Sequence, residues 1–255
     1  MSIIDFHTHP WATPAQCLCF YPGAVPNSPE NMRLQLEHAG ITHICGSALQ
    51  SGVPFDMAQL NNSARQLEET FRGFYTPGFH VHPDHVEESA ALVQTMGKSG
   101  HRLIGELVPY MHGWNQFSAR PCVEELNAIL DAASPYPMVF SFHTIWDWPL
   151  DDVIAAHPGI SFVAAHPGER QSVAQHIERM RRFDNVYLDL SGTGIFRFGC
   201  IRHLVNSVGS ERILFGTDYP ICNPAMYVHA VLGENLGSTC EQRIFHDNAA
   251  RLLGL

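Results

Sequence analysis

Residues 3–9 read Ile-Ile-Asp-Phe-His-Thr-His, a short β-branched and apolar run that carries two histidines two positions apart. Such a run is typical of a buried strand, in which alternate side chains point to the same side. His7 and His9 are therefore expected to point together into an interior, with Asp5 one layer below them. Two imidazoles in this arrangement form a candidate metal clamp, so the rest of the fold is predicted outward from this strand.

Similar short runs alternate with longer amphipathic stretches along the whole chain, which indicates a parallel α/β architecture. Strands are predicted at residues 3–9, 41–49, 73–82, 103–108, 138–144, 160–166, 186–191 and 213–218. Helices are predicted at residues 29–39, 55–70, 84–97, 119–133, 150–157, 168–183, 197–207, 224–232 and 240–253. Eight strands, each followed by a helix, favour a single (β/α)8 TIM barrel over residues 1–255. The alternative is a doubly wound open sheet, but its first strand would normally lead into a glycine-rich phosphate turn.

The composition limits the classes of protein that this chain can belong to. Hydrophobic residues make up 45% of its 255 residues and charged residues 16%, which predicts a globular protein with a large core. A net charge of -10 argues against nucleic acid and anionic membranes, so the expected partner is a small-molecule substrate, and a homo-oligomer is left open. Seven scattered cysteines and no recognisable targeting segment predict a cytoplasmic protein without a disulfide framework.

Other ligand-type side chains stand at the carboxyl ends of predicted strands, the face of a barrel where active sites are built. His143 ends the fifth strand, His166 the sixth and Asp218 the eighth. Burying four imidazoles and a carboxylate together is costly unless a divalent cation coordinates them. Zinc suits nitrogen and oxygen ligands and activates a bound water. Asp218 is placed to ligate the metal and to act as general base.

The order of these motifs resembles the amidohydrolase superfamily. Three segments are similar to its amidohydrolase-related branch: Ile-Leu-Phe-Gly-Thr-Asp-Tyr-Pro at 213–220, Gly-Glu-Leu-Val-Pro-Tyr at 105–110 and Asn-Ala-Ala-Arg-Leu-Leu-Gly-Leu at 248–255. The resemblance covers nearly the whole chain. That branch contains metal-dependent hydrolases, lactonases and nonoxidative decarboxylases, aminocarboxymuconate semialdehyde decarboxylase among them.

The resemblance implies a divalent-metal site with zinc as the expected metal, in one or two ions. It implies that His7, His9 and Asp218 bind metal and that His143 is a further ligand of the same ion or of a second one. For His166 it implies either a ligand of a second ion or a catalytic base that holds water and substrate.

Several further side chains are candidates for the same site. Glu106 occupies the position where some relatives, including the TatD-like deoxyribonucleases, place a carboxylate that bridges two metals. The other interpretation of Glu106 is a carboxylate paired with a basic side chain. His80 and His82 repeat the spacing of the first strand, and His82 is the stronger candidate for substrate contact. Asp189 is expected to be a buried hydrogen-bonding carboxylate. The loops after strands four and five contribute the candidate pocket residues His112, Trp114, Trp146 and Trp148.

The leading functional prediction is a metal-dependent hydrolase. In it, a metal-activated water deprotonated by Asp218 or His166 attacks the carbonyl of a lactone, amide or ester. The alternative is a nonoxidative decarboxylase of the aminocarboxymuconate semialdehyde decarboxylase type, in which the metal and His166 protonate the carbon that loses carbon dioxide. Hydrolysis is favoured because decarboxylase relatives usually run longer than this chain. A TatD-like nuclease fits the net charge less well, and an inactive barrel that keeps the clamp for stability is the non-enzyme alternative.

Overall fold

Parallel strands and helices alternate through the computed structural model, which describes residues 2–21, 23, 28–50, 54–114, 123–143 and 150–255. The strands are β1 Ile4–Thr8, β2 His43–Gly46, β3 Tyr75–Pro77, β4 Leu103–Leu107, β5 Val139–His143, β6 Ser161–Ala165, β7 Val186–Asp189 and β8 Ile213–Leu214. The helices are α1 Pro29–His38, α2 Met57–Thr70, α3 Val86–Ser99, α4 Val123–Ala133, α5 Leu150–Ala156, α6 Arg170–Arg182, α7 Cys200–Val208, α8 Pro224–Gly233, α9 Ser238–Gln242 and α10 Asn248–Leu253. A π-helical turn, Arg243–Asp247, joins α9 to α10. Trp146, Trp148 and residues 119–122 of the predicted fourth helix lie outside the described residues.

The strands pair in parallel in chain order, β1 to β3 in one ladder and β4 to β8 in another. The first seam between the ladders lies at Phe79, which forms a parallel bridge with Ile104. There the Phe79 N–H donates to Leu103 O at 3.1 Å, and the Gly105 N–H donates to Phe79 O at 2.8 Å. Backbone hydrogen bonding therefore continues from the β3 side of the ring to β4.

The second seam joins the start of the ring to its end. The Phe6 N–H donates to Phe215 O at 2.8 Å, and the His9 N–H donates to Tyr219 O at 2.7 Å. Thr8 also forms a parallel bridge with Tyr219. With both seams bonded, the eight strands close into a ring, and the predicted (β/α)8 barrel is confirmed.

Side chains from opposite parts of the ring meet inside it. Ile4 and Phe6 of β1 cluster with Val139 of β5 and Val163 of β6, and α10 adds further apolar side chains to the same cluster. A larger cluster packs the remaining strand side chains against the surrounding helices. Strands buried on both faces are what a parallel barrel requires. Within the described part of the chain, every helix is too short or too polar to span a lipid bilayer.

All eight strands are shorter than the sequence pattern predicts, and for the third and the eighth the structure shows the cause. The third strand, predicted over 73–82, ends at Pro77, and the chain then passes so close to β4 that a Cβ on Gly78 would lie 2.1 Å from Gly105 O. The eighth, predicted over 213–218, ends at Leu214. Beyond it the Phe215 N–H donates to Ile244 O and the Thr217 N–H donates to Asp5 Oδ1, so neither group is available to a strand ladder.

The buried carboxylate of Asp5 connects β1 to the segment after β8. It accepts hydrogen bonds from the Thr217 N–H at 3.0 Å, the Thr217 hydroxyl at 2.6 Å and the His7 N–H at 3.2 Å. The Thr217 hydroxyl in turn accepts from the Tyr219 N–H at 3.1 Å. Burial raises the pKa of Asp5 to about 7, and these three donors oppose that shift.

We expect Thr217→Val to destabilise the fold by about 1–3 kcal/mol, because it removes one donor to Asp5 and leaves the Tyr219 N–H without its acceptor. Urea unfolding monitored by circular dichroism measures this change. Thr217→Ser, which keeps the hydroxyl, is the matched control and should lose clearly less stability. Equal losses in the two variants would show that packing of the methyl group, and not the hydroxyl, stabilises this seam.

Candidate metal centre

The side chains predicted as metal ligands converge where the strands end. His9 directly follows β1, His166 directly follows β6, and Asp218 lies four residues beyond β8. The remaining three lie within strands: His7 on β1, Glu106 on β4 and His143 on β5. Helices and loops cover all six, so that even the most accessible side chain, that of His143, is only 27% exposed.

The first group of donor atoms surrounds the two nitrogens of the first strand. His9 Nε2 lies 3.3 Å from His7 Nε2 and 3.1 Å from Asp218 Oδ1. Glu106 Oε2 lies 3.4 Å from His7 Nε2 and 3.5 Å from His9 Nε2. Two ligands of a tetrahedral zinc ion at its usual bond lengths are roughly 3.3–3.6 Å apart. The spacing and the mixed nitrogen and oxygen chemistry of this group therefore fit a divalent cation.

A second group of donor atoms lies on the other side of the same carboxylate. Glu106 Oε1 is 3.0 Å from His143 Nδ1 and 3.3 Å from His166 Nε2, and these two nitrogens are 3.2 Å apart. All ion-pair partners of Glu106 among the described residues are histidines, which argues against its pairing with an arginine or lysine. The two oxygens of Glu106 thus face different histidine pairs, as a bridging carboxylate does. The ligand assignments themselves stay predictions.

Charge within this cluster is strongly coupled. Burial alone would raise the pKa of Glu106, but the charge of His7 and hydrogen bonds from His143 and His166 hold it well below its usual value. Burial disfavours the charged form of His7, yet the carboxylates of Asp189 and Glu106 raise its pKa well above the usual value. The Glu106 carboxylate also raises the pKa of His166, although burial of that ring opposes the shift. The carboxylates thus need positive charge beside them, which either imidazole protons or a divalent cation can supply.

Outer hydrogen bonds orient the two rings of β1. His7 Nδ1 donates to Asp189 Oδ2 at 2.8 Å, and His9 Nδ1 donates to Ser47 O at 3.0 Å. The Nε2 atom of each ring is then the nitrogen with a lone pair directed at the donor group. Asp189 is fully buried, as predicted, and its contact with His7 also gives it a role in orienting this ring.

His166 and Asp218 share an uncommon backbone conformation. Their φ angles are 66° and 64°, in the left-handed region that costs a residue with a side chain about 1–3 kcal/mol. Hydrogen bonds oppose this cost. The Asp218 N–H donates to His7 O at 2.8 Å, and His176 Nε2 donates to His166 O at 3.0 Å. Strain of this kind is concentrated at functional sites, and here it turns two of the six donors toward the centre.

A cavity of about 330 Å³ opens beside the second donor group. It is lined by His143, His166, Gly168, Ser172, Gly192, Thr193 and Asp218. Gly192 has a φ of 61°, and a Cβ there would lie 2.3 Å from His166 Nδ1, so this position needs glycine. The lining residues after β7 were not predicted, although the run Ser-Gly-Thr-Gly at 191–194 is a turn signal at a strand end. Tyr110, whose half-exposed ring lies 5.2 Å from that of His143, was not predicted either.

The histidines predicted on the third strand lie beyond β3, in a buried aromatic cluster around Phe55. His82 Nε2 donates to His112 O at 2.8 Å, and the ring of His82 stacks on Phe55 at 5.4 Å. Trp114 is buried beside His82. Among the described residues, the side chain of His82 contacts none of the six donors, and its role in substrate contact stays a prediction. His80 Nε2 donates to Ala48 O at 2.7 Å, and burial lowers the pKa of His80 to about 4.

Comparison with known proteins agrees with the motifs. The amidohydrolase family model matches residues 4–255, which confirms the predicted family, whereas no curated protein matches the chain. A 2,6-dihydroxybenzoate decarboxylase structure is 14% identical, with a TM-score of 0.72 over 100% of both chains. An uncharacterised TIM-barrel protein from Bordetella bronchiseptica is 19% identical, with a TM-score of 0.73 over 100% of this chain and 99% of that one. The manganese complex of 5-carboxyvanillate decarboxylase from Novosphingobium aromaticivorans is 14% identical, with a TM-score of 0.70 over 99% and 96%. At these identities the likeness shows a common fold.

Glu106→Gln should weaken divalent-metal binding by about 10–100-fold or more, because it neutralises the carboxylate shared by both donor groups. A loss of that size is typical when a residue that only supports a metal ligand is changed, and Glu106 is itself a predicted ligand. Titration calorimetry of chelator-treated protein with Zn²⁺ or Mn²⁺ measures the affinity. Glu87→Gln, an exposed position on α3, is the charge-matched control and should leave it unchanged. Unaltered affinity in Glu106→Gln would remove this residue from the donor set.

The buried, neutral His80 should make the metal-free fold sensitive to acid. Its pKa of about 4 lies below the usual 6.5, so stability present above pH 6.5 is lost as the pH falls toward 4. His80→Asn should flatten this dependence by up to about 1.4 kcal/mol per pH unit. Urea unfolding at a series of pH values measures the slope, with the exposed His203→Asn as control. Identical slopes in wild type and His80→Asn would mean that His80 has the same pKa in the folded and the unfolded state.

Proposed function

This chain belongs to the amidohydrolase family, and from that premise we propose that it is a metal-dependent, nonoxidative decarboxylase of a small carboxylate. The proposal departs from the leading sequence prediction of hydrolysis. That prediction relied on the compactness of the chain, yet a 2,6-dihydroxybenzoate decarboxylase aligns with it over 100% of both chains. Compactness therefore does not separate the two reactions, and two of the structural relatives described above are named as decarboxylases.

The six converging donors would hold the metal. Mixed imidazole and carboxylate ligands suit both zinc, the metal expected from the sequence, and manganese, which a related decarboxylase binds. When bound, a divalent cation supplies positive charge that anchors and polarises a substrate carboxylate. A cavity of about 330 Å³ suits a compact molecule, so hydroxylated benzoates and short unsaturated carboxylates are the substrate classes to test.

The observation that carries the proposal is the position of His166. Loss of carbon dioxide leaves a carbon that must receive a proton, so the reaction needs a proton donor in the cavity wall. His166 lines the cavity, and its Nε2 lies 3.3 Å from the carboxylate of Glu106, which favours the protonated ring. We assign His166 as the proton donor. His143, the most exposed of the six donors, lies next to it and is placed to contact the substrate.

Hydrolysis of a lactone, amide or ester is the second candidate, and one observation favours it. The two oxygens of Glu106 face separate histidine pairs, which is the donor arrangement of a two-metal site, and such sites are common in hydrolytic enzymes. In that case His143 and His166 serve as ligands, and Asp218 is left as the general base. The number of bound ions therefore helps to distinguish the two functions.

We expect the metal-loaded protein to release carbon dioxide from at least one member of a panel of hydroxybenzoates and unsaturated carboxylates. His166→Asn should lower kcat by about 10²–10⁴-fold, the usual contribution of general acid–base catalysis. A coupled carbon dioxide assay measures turnover, and chelator treatment should abolish it.

His203→Asn, an exposed substitution on α7, is the matched control and should retain full turnover. Acid release from lactones or esters in a pH-stat, together with no carbon dioxide from the panel and two bound ions per chain, would refute decarboxylation in favour of hydrolysis. Undiminished turnover in His166→Asn would refute the assignment of the proton donor.

A further inference from the structure

The hydroxyl of Ser191, just after β7, lies between two rings of the metal centre. Its Oγ is 3.0 Å from His7 Nδ1 and 2.9 Å from His166 Nδ1, and it donates a short hydrogen bond to Asp189 Oδ1. Ser191 is fully buried, so these groups, and not solvent, satisfy its hydroxyl. Serine was not a candidate in the sequence because it is neither a usual metal ligand nor a titratable group.

The direction of each hydrogen bond follows from counting hydrogens. A hydroxyl donates one hydrogen and accepts up to two, whereas an ionised carboxylate only accepts. Asp189 accepts hydrogen bonds from the His7 ring, the Ser191 N–H and the His166 N–H, so its oxygens act as acceptors and Oδ1 takes the Ser191 hydrogen. Ser191 Oγ can then only accept from the two rings. His7 Nδ1 has a nearer acceptor in Asp189 Oδ2, at 2.8 Å, which leaves Oγ as the acceptor for His166 Nδ1.

The rest of the surroundings restrict where the His166 ring can lie but do not select one ring nitrogen. The missing Cβ of Gly192 leaves space against the edge of the ring, where any larger residue would collide with Nδ1. The backbone of His166 is held by His176 on its carbonyl and by Asp189 on its N–H, at 3.0 and 3.4 Å. None of these contacts requires a hydrogen on Nδ1. Among the described residues, Ser191 is the hydrogen-bond partner that requires a hydrogen on His166 Nδ1.

We propose that Ser191 is a positioning residue that fixes the hydrogen of His166 on Nδ1, so that Nε2 is the nitrogen presented to Glu106, His143 and the cavity. With Asp189 it links the rings of His7 and His166 in one hydrogen-bonded chain and orients both together. The inference rests on the proposed function only in giving His166 a proton to transfer. The tautomer assignment holds for either candidate reaction.

The test is Ser191→Ala in protein loaded with one zinc ion per chain, with nitrogen NMR of the ¹⁵N-labelled histidine rings as the first measurement. In the wild type, at a pH high enough for the His166 ring to be neutral, Nδ1 should be protonated and Nε2 unprotonated. In Ser191→Ala, Nδ1 loses its acceptor, and the signals should shift toward a mixture of the two tautomers, while those of His9, which is oriented by Ser47, stay unchanged. Where a decarboxylation substrate is found, kcat should fall by about 10–100-fold with a KM within about threefold.

Ser89→Ala is the matched control. Ser89 is a fully buried serine on α3 whose hydroxyl accepts a hydrogen bond from the His82 N–H, outside the metal centre. It reports the general effect of deleting a buried hydroxyl, and His166 should keep its tautomer in this variant. The proposal is refuted if Ser191→Ala lowers the melting temperature as Ser89→Ala does but leaves the His166 signals unchanged. Because the NMR measurement needs no substrate, it stands even if no carboxylate in the panel is turned over.

Discussion

Complete burial of the Glu106 carboxylate among four imidazole rings is the constraint on which the rest of the site depends. An ionised carboxylate removed from water needs positive charge within a few ångströms, and among the described residues only histidines lie in ion-pair contact with it. Each imidazole can supply that charge only by holding a second proton, whereas a divalent cation supplies it without one. The carboxylates accordingly raise the pKa of His7 and that of His166, although burial opposes the charged forms of both rings.

The contacts that close the barrel between β1 and the segment after β8 also bring predicted ligands together. The bonds that join the end of the chain's eighth strand to its first include Asp218 N–H to His7 O and Thr217 to Asp5, so the contacts that complete the ring also bring two donors together. A metal bound between β1 and β8 would in turn reinforce this seam. The fold and the site are therefore expected to stabilise one another, which also explains the tolerance for the left-handed backbone conformation of Asp218 at that interface.

How much of this could be predicted from the sequence depends on whether the signal is local. The alternation of short apolar runs with amphipathic stretches predicted the eight strands, and ligand-type residues at the ends of strands one, five, six and eight predicted which side chains would converge. The lengths of β3 and β8 were overestimated, because a close backbone approach at Gly78 and the capture of the Thr217 N–H by Asp5 depend on distant partners. Ser191 was not predicted for the same reason. Its hydroxyl lies between the rings of His7 and His166 only because β7 packs beside β6.

The geometry around Glu106 connects the number of bound metal ions to the class of reaction. A single ion held by His7, His9 and Asp218 would leave His143 and His166 available to carry protons, which would suit the protonation of a carbon after loss of carbon dioxide. If a second ion were bound, both histidines would be its ligands and proton transfer would be left to Asp218, which would suit activation of a water. In either case the Nε2 of His166 faces the centre, because Ser191 and Asp189 hold its other nitrogen and backbone from behind. We therefore expect the occupancy of the His143 and His166 pair to distinguish the two proposed reactions.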